Sequence, residues 1–453
     1  MTEQWPGLGD LAEIAVTPAD ESRYRYLSSS YMAVGTPELV LMARDERDVS
    51  AAVGYASRVR RLAGWVPFSV RSGGHGISGS STNRGGIVLD LSGLNQVEVL
   101  DPEAGLVQVG AGAVWGEVAA ELAPYGLVMT SGNAGDTGVG GLGTAGGIGY
   151  LVRERGLTID SVVRATLVTA DGVVHEVDAE NEPDLFWAVR GGVTHAGIVT
   201  RLWVIAHQVG EDVAVIHQMS QHLVDDLPTY VAAWGDLIRE APRRFTSFLM
   251  IQAVQDGRHI VVARNVWADA DIPAAEPTIT AFAELAPLLQ HDAMVMPYPR
   301  VVPTPRSPKV GQQRIQMRAG LADRADFALG AAFLETLGQQ ATALVELRSL
   351  GGAVGDLDPQ ATAWAHRHQE ALVAIWAHPR GEAAIDEAWG PIGDLVTGTY
   401  GAYSSDTRPA QAELAWPGET GRRLRELAER HDPEHLFDAG LTLRRSPRPG
   451  ADG

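Results

Sequence analysis

The chain has 453 residues, 45% of them hydrophobic and 20% charged, with 36 basic against 56 acidic side chains and a formal charge of −20. That length calls for two large domains or three small ones rather than one core, and an acidic surface of this size repels nucleic acid and anionic lipid, so neither is an expected partner. Cysteine is absent, which excludes disulfides, thiolate metal sites and any cysteinyl catalysis or cofactor link.

The opening residues, Met-Thr-Glu-Gln-Trp-Pro-Gly, lack a basic stretch followed by an apolar one, and no apolar run approaches a membrane span. The expected location is cytoplasmic. Residues 46–62 carry Val49, Ala52, Val53, Ala56 and Val59 at helical spacing, with Asp45 placed to cap the start. Residues 66–70 read as a short strand, and residues 70–79 follow as Val-Arg-Ser-Gly-Gly-His-Gly-Ile-Ser-Gly. Glycines around His75 let the backbone approach a large flat ligand, and an imidazole there is a neutral nucleophile near physiological pH. By themselves these ten residues favour a tight turn whose histidine caps a backbone group.

Strand signals continue at 86–91, 96–100 and 106–109, and 114–122 reads as a helix. Residues 132–149 hold nine glycines in eighteen positions, a density expected to exclude a regular helix or strand. A loop whose amides converge on an anion explains it, and the apolar Val139, Leu142 and Ile148 argue for burial over a free surface loop. Residues 162–168 and 173–177 form a hairpin across Thr169-Ala-Asp-Gly172, 184–192 a short helix ending on glycines, and 198–205 a strand.

Beyond residue 206 the strands 245–254 and 259–267 alternate with amphipathic helices at 227–239 and 273–285. Residues 295–318 are proline-rich with little periodicity and read as a long loop. A strand follows at 344–350, then strand and bridging segments over 359–377, and a last helix at 418–431. His366, His368 and His378 lack carboxylate or cysteine support, so they read as surface histidines and no metal is expected.

The order of these pieces resembles the vanillyl-alcohol-oxidase (PCMH-type) flavoproteins, in their berberine-bridge-enzyme-like branch. The resemblance rests on Arg71-Ser-Gly-Gly-His75-Gly, residues 86–91, Val139-Gly-Gly-Leu-Gly-Thr-Ala-Gly-Gly-Ile-Gly149, residues 181–192, Gly197-Ile-Val-Thr200, Glu346-Leu-Arg-Ser-Leu-Gly-Gly352 and His431-Asp-Pro-Glu-His-Leu-Phe437. It implies an α+β chain with a PCMH-type FAD-binding domain over 1–205. A substrate domain over 206–399, an antiparallel sheet covered by helices, comes next, and 400–453 return to the FAD-binding domain.

The resemblance further implies FAD held by a single covalent bond from His75. Its contacts would be Arg71, Ser72, Gly73, Gly74, Gly76, Ser78 and Gly79 at the first glycine turn, and Gly135, Asp136, Thr137, Gly138, Gly140, Gly141, Gly146 and Gly149 in the second glycine region, which would cradle the pyrophosphate. Gly197, Ile198 and Val199 complete the set. Three positions depart from the family pattern: Ala134 stands where many relatives carry a flavin-linking cysteine, Ala402 where an asparagine is usual in Tyr400-Gly-Ala-Tyr403, and Thr420 where an asparagine precedes the last helix.

The implied activity is an oxidase that moves a hydride from an alcohol, amine or activated C–H carbon of a small molecule to flavin N5, with reoxidation by O2. Two alternatives stand beside it: a dehydrogenase with another acceptor, and a flavin-containing protein that binds a small compound for resistance. Tyr400 and Tyr403 are catalytic candidates, because a phenol takes a proton if its pKa is lowered; as core tyrosines they fit the pattern equally well. Glu346 is a further catalytic candidate; it and Arg348 alternate along one strand, so both point one way, towards the flavin or into solvent.

Overall fold

A computed structural model describes residues 5–209, 213–304 and 315–443. Strands β1 (Ala15–Val16), β2 (Leu39–Met42), β3 (Phe68–Arg71) and β4 (Ile87–Asp90) form a first sheet in the order β1-β2-β4-β3. β4 runs parallel to both β2 and β3, and parallel neighbours need crossovers rather than tight turns. Helix α1 (Glu21–Leu27) lies between β1 and β2, and α2 (Glu46–Ala63) makes the crossover from β2 to β3. The expected stripe of α2 is buried, and Asp45 accepts hydrogen bonds from the backbone N–H groups of Arg47 and Asp48.

A second, antiparallel sheet joins β5 (Val97–Asp101), β6 (Leu106–Gly110), β8 (Val162–Val168), β9 (Val174–Asp178) and β10 (Ile198–Ile205) in the order β5-β6-β10-β8-β9. β7 (Leu127–Val128) pairs separately with β11 (His207–Gln208). The β8–β9 hairpin turns at Gly172, whose φ of +81° suits glycine. Helices α3 (Trp115–Leu122), α4 (Val139–Ala145), α5 (Val152–Arg155) and α6 (Pro183–Val189) complete this half.

Helix α4 corrects an expectation, since it lies inside the glycine-dense region that was read as neither helix nor strand. Two of its three glycines are paid for by proximity: a Cβ at Gly140 would meet Ala111 at 3.0 Å, and one at Gly143 would meet Leu202 Cδ1 at 2.9 Å. Close packing onto β6 and β10 outweighs the roughly 1 kcal/mol that each glycine costs a helix.

The third sheet has eight strands: β12 (Ala214–Val224), β13 (Phe245–Ala253), β14 (His259–Trp267), β15 (Leu288–Pro297), β16 (Gln316–Ala322), β17 (Thr342–Ser349), β18 (Ala371–Ala377) and β19 (Val396–Gly398). Their order is β15-β12-β14-β13-β17-β18-β16-β19, antiparallel throughout. Helices α7 (Leu227–Glu240), α8 (Ile272–Ala283), α9 (Phe327–Leu337) and α10 (Glu382–Gly393) cover one face, where Trp234, Phe282, Phe333 and Ile385 pack on Leu249, Val261, Val345 and Val373. The opposite face carries Phe248, Val266, Met317, Leu321 and Leu372, which share a core with Ile148, Tyr150, Leu151 and Ile159 of the second glycine region and its sequel. Helices α11 (Pro409–Ala415) and α12 (Gly418–His431) return to the first core, where Leu424 and Leu427 join Leu185 and Trp187.

The long loop expected over 295–318 is shorter at both ends, because β15 runs on to Pro297 and Gln316 opens β16; the part over 305–314 lies outside the described residues. Its prolines mask two strand ends whose pairing supplies the regularity that local sequence does not. Among the described residues no helix is long and apolar enough to cross a membrane.

Candidate active site

A cavity of about 610 Å³ lies between the two glycine regions on one side and the uncovered face of the eight-stranded sheet on the other. Chain crossing builds the glycine wall. A Cβ on Gly73 would sit 2.4 Å from Gly138 N, and one on Gly138 would sit 2.1 Å from Gly73 N, so the two loops meet backbone to backbone and admit no side chain. Gly74, with φ +68°, turns the first loop, and its carbonyl accepts a 2.7 Å hydrogen bond from Tyr31 N–H.

His75 is fixed by its surroundings. Its ring stacks on Tyr31 with centroids 4.4 Å apart and planes 12° from parallel. Nε2 lies 3.2 Å from Asp136 Oδ1, at an angle outside hydrogen-bond geometry. Of the residues expected around a cofactor, Ser72, Gly73, Gly74, His75, Gly76, Ser78, Thr137, Gly138, Gly140, Gly141, Gly197, Ile198 and Val199 line the cavity.

Arg71, Gly79, Gly135, Asp136, Gly146 and Gly149 do not line it. Arg71 turns inward to the buried Asp90, with Nη1 2.9 Å from Oδ2. Gly135, Gly146 and Gly149 are small because protein crowds them: an added Cβ would meet Val302 O at 2.4 Å, the Trp364 ring at 2.8 Å and Ser131 O at 1.9 Å, respectively. Thr420 is buried in the first turn of α12, away from the cavity, whereas Ala402 lines it.

The opposite wall carries the polar groups. Glu346 and Arg348 alternate on β17 and project from the same face, both buried. Arg348 Nε donates to Glu346 Oε1 at 2.7 Å, while Glu346 Oε2 accepts from Tyr403 OH and from Trp376 Nε1, each at 2.9 Å. Arg348 also donates to the Tyr403 hydroxyl oxygen, lies over the Tyr403 ring at 4.3 Å and over the Phe248 ring at 4.8 Å, and reaches Asn133 Oδ1 at 3.5 Å. Both Glu346 oxygens, the Tyr403 hydroxyl and Arg348 Nε and Nη2 therefore have partners, and the charge of Arg348 is matched by a carboxylate.

Tyr400 stands beside this cluster with its ring 6.4 Å from that of Tyr403, and its hydroxyl accepts the N–H of Gly147 at 3.2 Å. Burial pushes the Tyr400 phenol up to about 12. The same burial raises Tyr403 well above its ordinary value, against the pull of Arg348 and reinforced by Glu346. Neither phenol is set up as a standing phenolate, so the condition of a lowered pKa set for a tyrosine base is not met.

His366, read as a surface histidine, is buried; its Nε2 lies 2.9 Å from Leu414 O, and burial lowers its imidazole pKa. His368 is exposed beside Asp323. Local reading missed Tyr31, Asn133, Tyr150, Phe248, Arg264 and Trp376, all of which line the cavity. No short motif marks them, because their position depends on strand register and on chain crossings.

The residues present fit FAD. The cavity lies within the roughly 300–1,000 Å³ of sites for sizeable organic ligands, one wall is backbone that a flat ring and a pyrophosphate can approach, and a buried polar atom there, Ser81 Oγ, has no hydrogen-bond partner in the protein. Residues 37–178 match the FAD binding domain family. The chain is 27% identical over 421 residues to (R)-6-hydroxynicotine oxidase of Paenarthrobacter nicotinovorans, covering 88% of this chain and 90% of that one.

Its fold is shared with the BBE-like 1 protein of Physcomitrella patens, at a TM-score of 0.81 and 19% identity over 97% of this chain and all of that one. It is shared equally with glucooligosaccharide oxidase of Acremonium strictum, described with a 6-S-cysteinyl, 8α-N1-histidyl FAD, at a TM-score of 0.80 and 20% identity over 98% and 100% of the two chains. A glycine-walled cavity facing a buried acid–arginine–tyrosine cluster, in a chain with such relatives along its length, belongs to an FAD-linked oxidoreductase that shares its fold with these flavoprotein structures.

Proposed function

We propose that the protein is an oxidase for a small organic molecule, with FAD tethered through His75 and proton removal carried by Tyr403 and Glu346. When bound, FAD supplies the hydride acceptor at N5 and passes the electrons to O2 as hydrogen peroxide. The observation that carries the reading is the hydrogen-bonded run Arg348–Tyr403–Glu346 across the cavity from the glycine wall.

The tethering role of His75 rests on its fixed ring. Stacking on Tyr31 and proximity to Asp136 limit the imidazole's freedom, and Asp136 favours positive charge on a ring that has formed a new bond through its other nitrogen. With Ala134 at the position of the family's cysteine, His75 is the tether available.

The proton route follows from donor and acceptor order. Tyr403 already donates to Glu346 Oε2. As the hydroxyl oxygen takes a proton from a substrate alcohol or amine, its own proton passes to Glu346, so no free phenolate is needed. Arg348 holds the carboxylate through Oε1 and the phenol oxygen through a second N–H, which fixes both in reach of the same site. Phe248, Met250, Val262, Tyr150 and Trp376 supply an apolar wall that excludes water from the reacting carbon. The relative named as an oxidase supports oxygen as acceptor over another carrier.

Acid precipitation tests the tether: wild-type pellets stay yellow, and His75→Ala releases the colour to the supernatant. A colourless wild-type pellet overturns it. Incubation in air with a panel of small amines, alcohols and sugars, read as peroxide release, tests the oxidase reading; anaerobic bleaching by a substrate with no reoxidation in air would turn the assignment to a dehydrogenase.

A further inference from the structure

We infer that the substrate is an organic anion, bound by its carboxylate to Arg264, with an apolar tail in a second cavity beyond that residue. The inference rests on the flavin-site reading above for the reacting end alone.

On the cavity face of the eight-stranded sheet, five strands place one residue each in a direct cross-strand row: Asp292, Met219, Arg264, Phe248 and Arg348. Two of these are cations, and their situations differ. Arg348 is buried and matched by Glu346. Arg264 is exposed, lines the cavity together with Tyr150, and among the described residues has no carboxylate within ion-pairing distance. In a chain with twenty more acidic than basic groups (56 against 36), a cavity-lining arginine left without an acid marks a place for an external one.

Arg264 also lines a second cavity of about 240 Å³, walled by His217, Met219, Met294, Met296 and Arg300 with a single carboxylate, Asp292. Two guanidinium groups against one acid leave that neck positive. The planar guanidinium fork suits a carboxylate by two parallel hydrogen bonds. The unbranched methionine side chains adapt to an apolar chain without fixing its shape. Arg264 and Arg348 are two strand spacings apart, roughly 10 Å, which sets the separation between the anionic group and the reacting atom near Tyr403.

The test uses the purified holoenzyme and a matched pair of probes, 5-phenylpentanoate and 5-phenylpentanamide. Calorimetric titration is expected to show the acid binding at least tenfold more tightly than the amide. Arg264→Met should abolish that preference while leaving the amide's affinity and the thermal midpoint at wild-type values, and Arg264→Lys should retain part of it. Equal affinity of acid and amide for the wild type, including no detectable binding of either, overturns the proposal, as does a preference that survives Arg264→Met.

The visible spectrum separates this from the cofactor reading. Acid preference in a protein that purifies without flavin sustains the anion site and sinks the FAD assignment, and a yellow protein without the preference does the reverse.

Discussion

At the scale of single residues, the site turns on how protons are held. Tyr403 and Glu346 act through one hydrogen bond, so removing either end removes the same route. Tyr403→Phe and Glu346→Gln are each expected to slow substrate-driven anaerobic flavin bleaching by about 10²–10⁴-fold, with flavin content unchanged. The double variant should be little slower than the worse single one, and additive losses would show that the two groups act separately.

Histidines give a second consequence, for stability. Burial holds His222, which is 0% exposed, and His207 at about 4. Both stay neutral in the fold at pH 5, whereas the unfolded chain protonates them below about 6.5. The unfolded state then binds more protons, so stability falls as pH drops from about 6.5 towards 4. For His222 the loss reaches on the order of 3 kcal/mol at the acid end. Urea midpoints at pH 7.5 and 5.0 should separate for the wild type and draw together for His222→Gln; an unchanged separation would remove His222 from the account.

The same scale shows what local sequence carries. His75, Glu346 and Arg348 stood out because glycines or strand alternation framed them. Arg264 and Phe248 did not, since only the register between β13, β14 and β17 sets them beside Arg348.

At the scale of elements, strands with alternating or continuous apolar runs and capped helices were readable: β14 and α12 keep their expected bounds, and Asp45 caps α2. Helix α4 was not, because its glycines argue locally against a helix while tertiary approach demands Gly140 and Gly143. Two glycines separate the reasons for smallness. At Gly73 a methyl would collide with the backbone of Gly138, so Gly73→Ala should purify with little flavin and a lowered thermal midpoint. At Gly141 a methyl meets no protein atom within 4 Å, although the residue lines the cavity. Gly141→Ala, gaining up to about 1 kcal/mol of helix propensity, should keep or raise the midpoint of the flavin-free protein yet lower its flavin content, read as the ratio of visible to ultraviolet absorbance. Full flavin loading of Gly141→Ala would move the cofactor away from α4.

At the scale of the whole molecule, the cavity depends on the sheet of residues 214–398 being held against the glycine loops, and local sequence is silent about that contact. Among the described residues a buried ion pair crosses it. Arg367 meets Asp160 through both terminal nitrogens at 2.9 Å, over a sequence separation of 207, and also donates to Thr362 Oγ1 at 2.7 Å. Arg367 is 3% exposed, so removing the carboxylate leaves a buried cation with the Thr362 hydroxyl and the Val354 carbonyl as its acceptors.

Breaking such a pair costs about 3–5 kcal/mol, far more than the pair contributes relative to an apolar replacement. Asp160→Asn is therefore expected to lower the thermal midpoint by several degrees and to loosen the cavity, seen as faster flavin bleaching by dithionite. The pair between Arg243 and Asp356 is a control of the same chemistry in water, with both side chains about half exposed. Asp356→Asn should shift stability by no more than about 0.5 kcal/mol. If the two substitutions act alike, the sheet is held to the glycine loops by the apolar contacts of Phe248, Tyr150 and Leu372, and the buried pair serves register rather than strength.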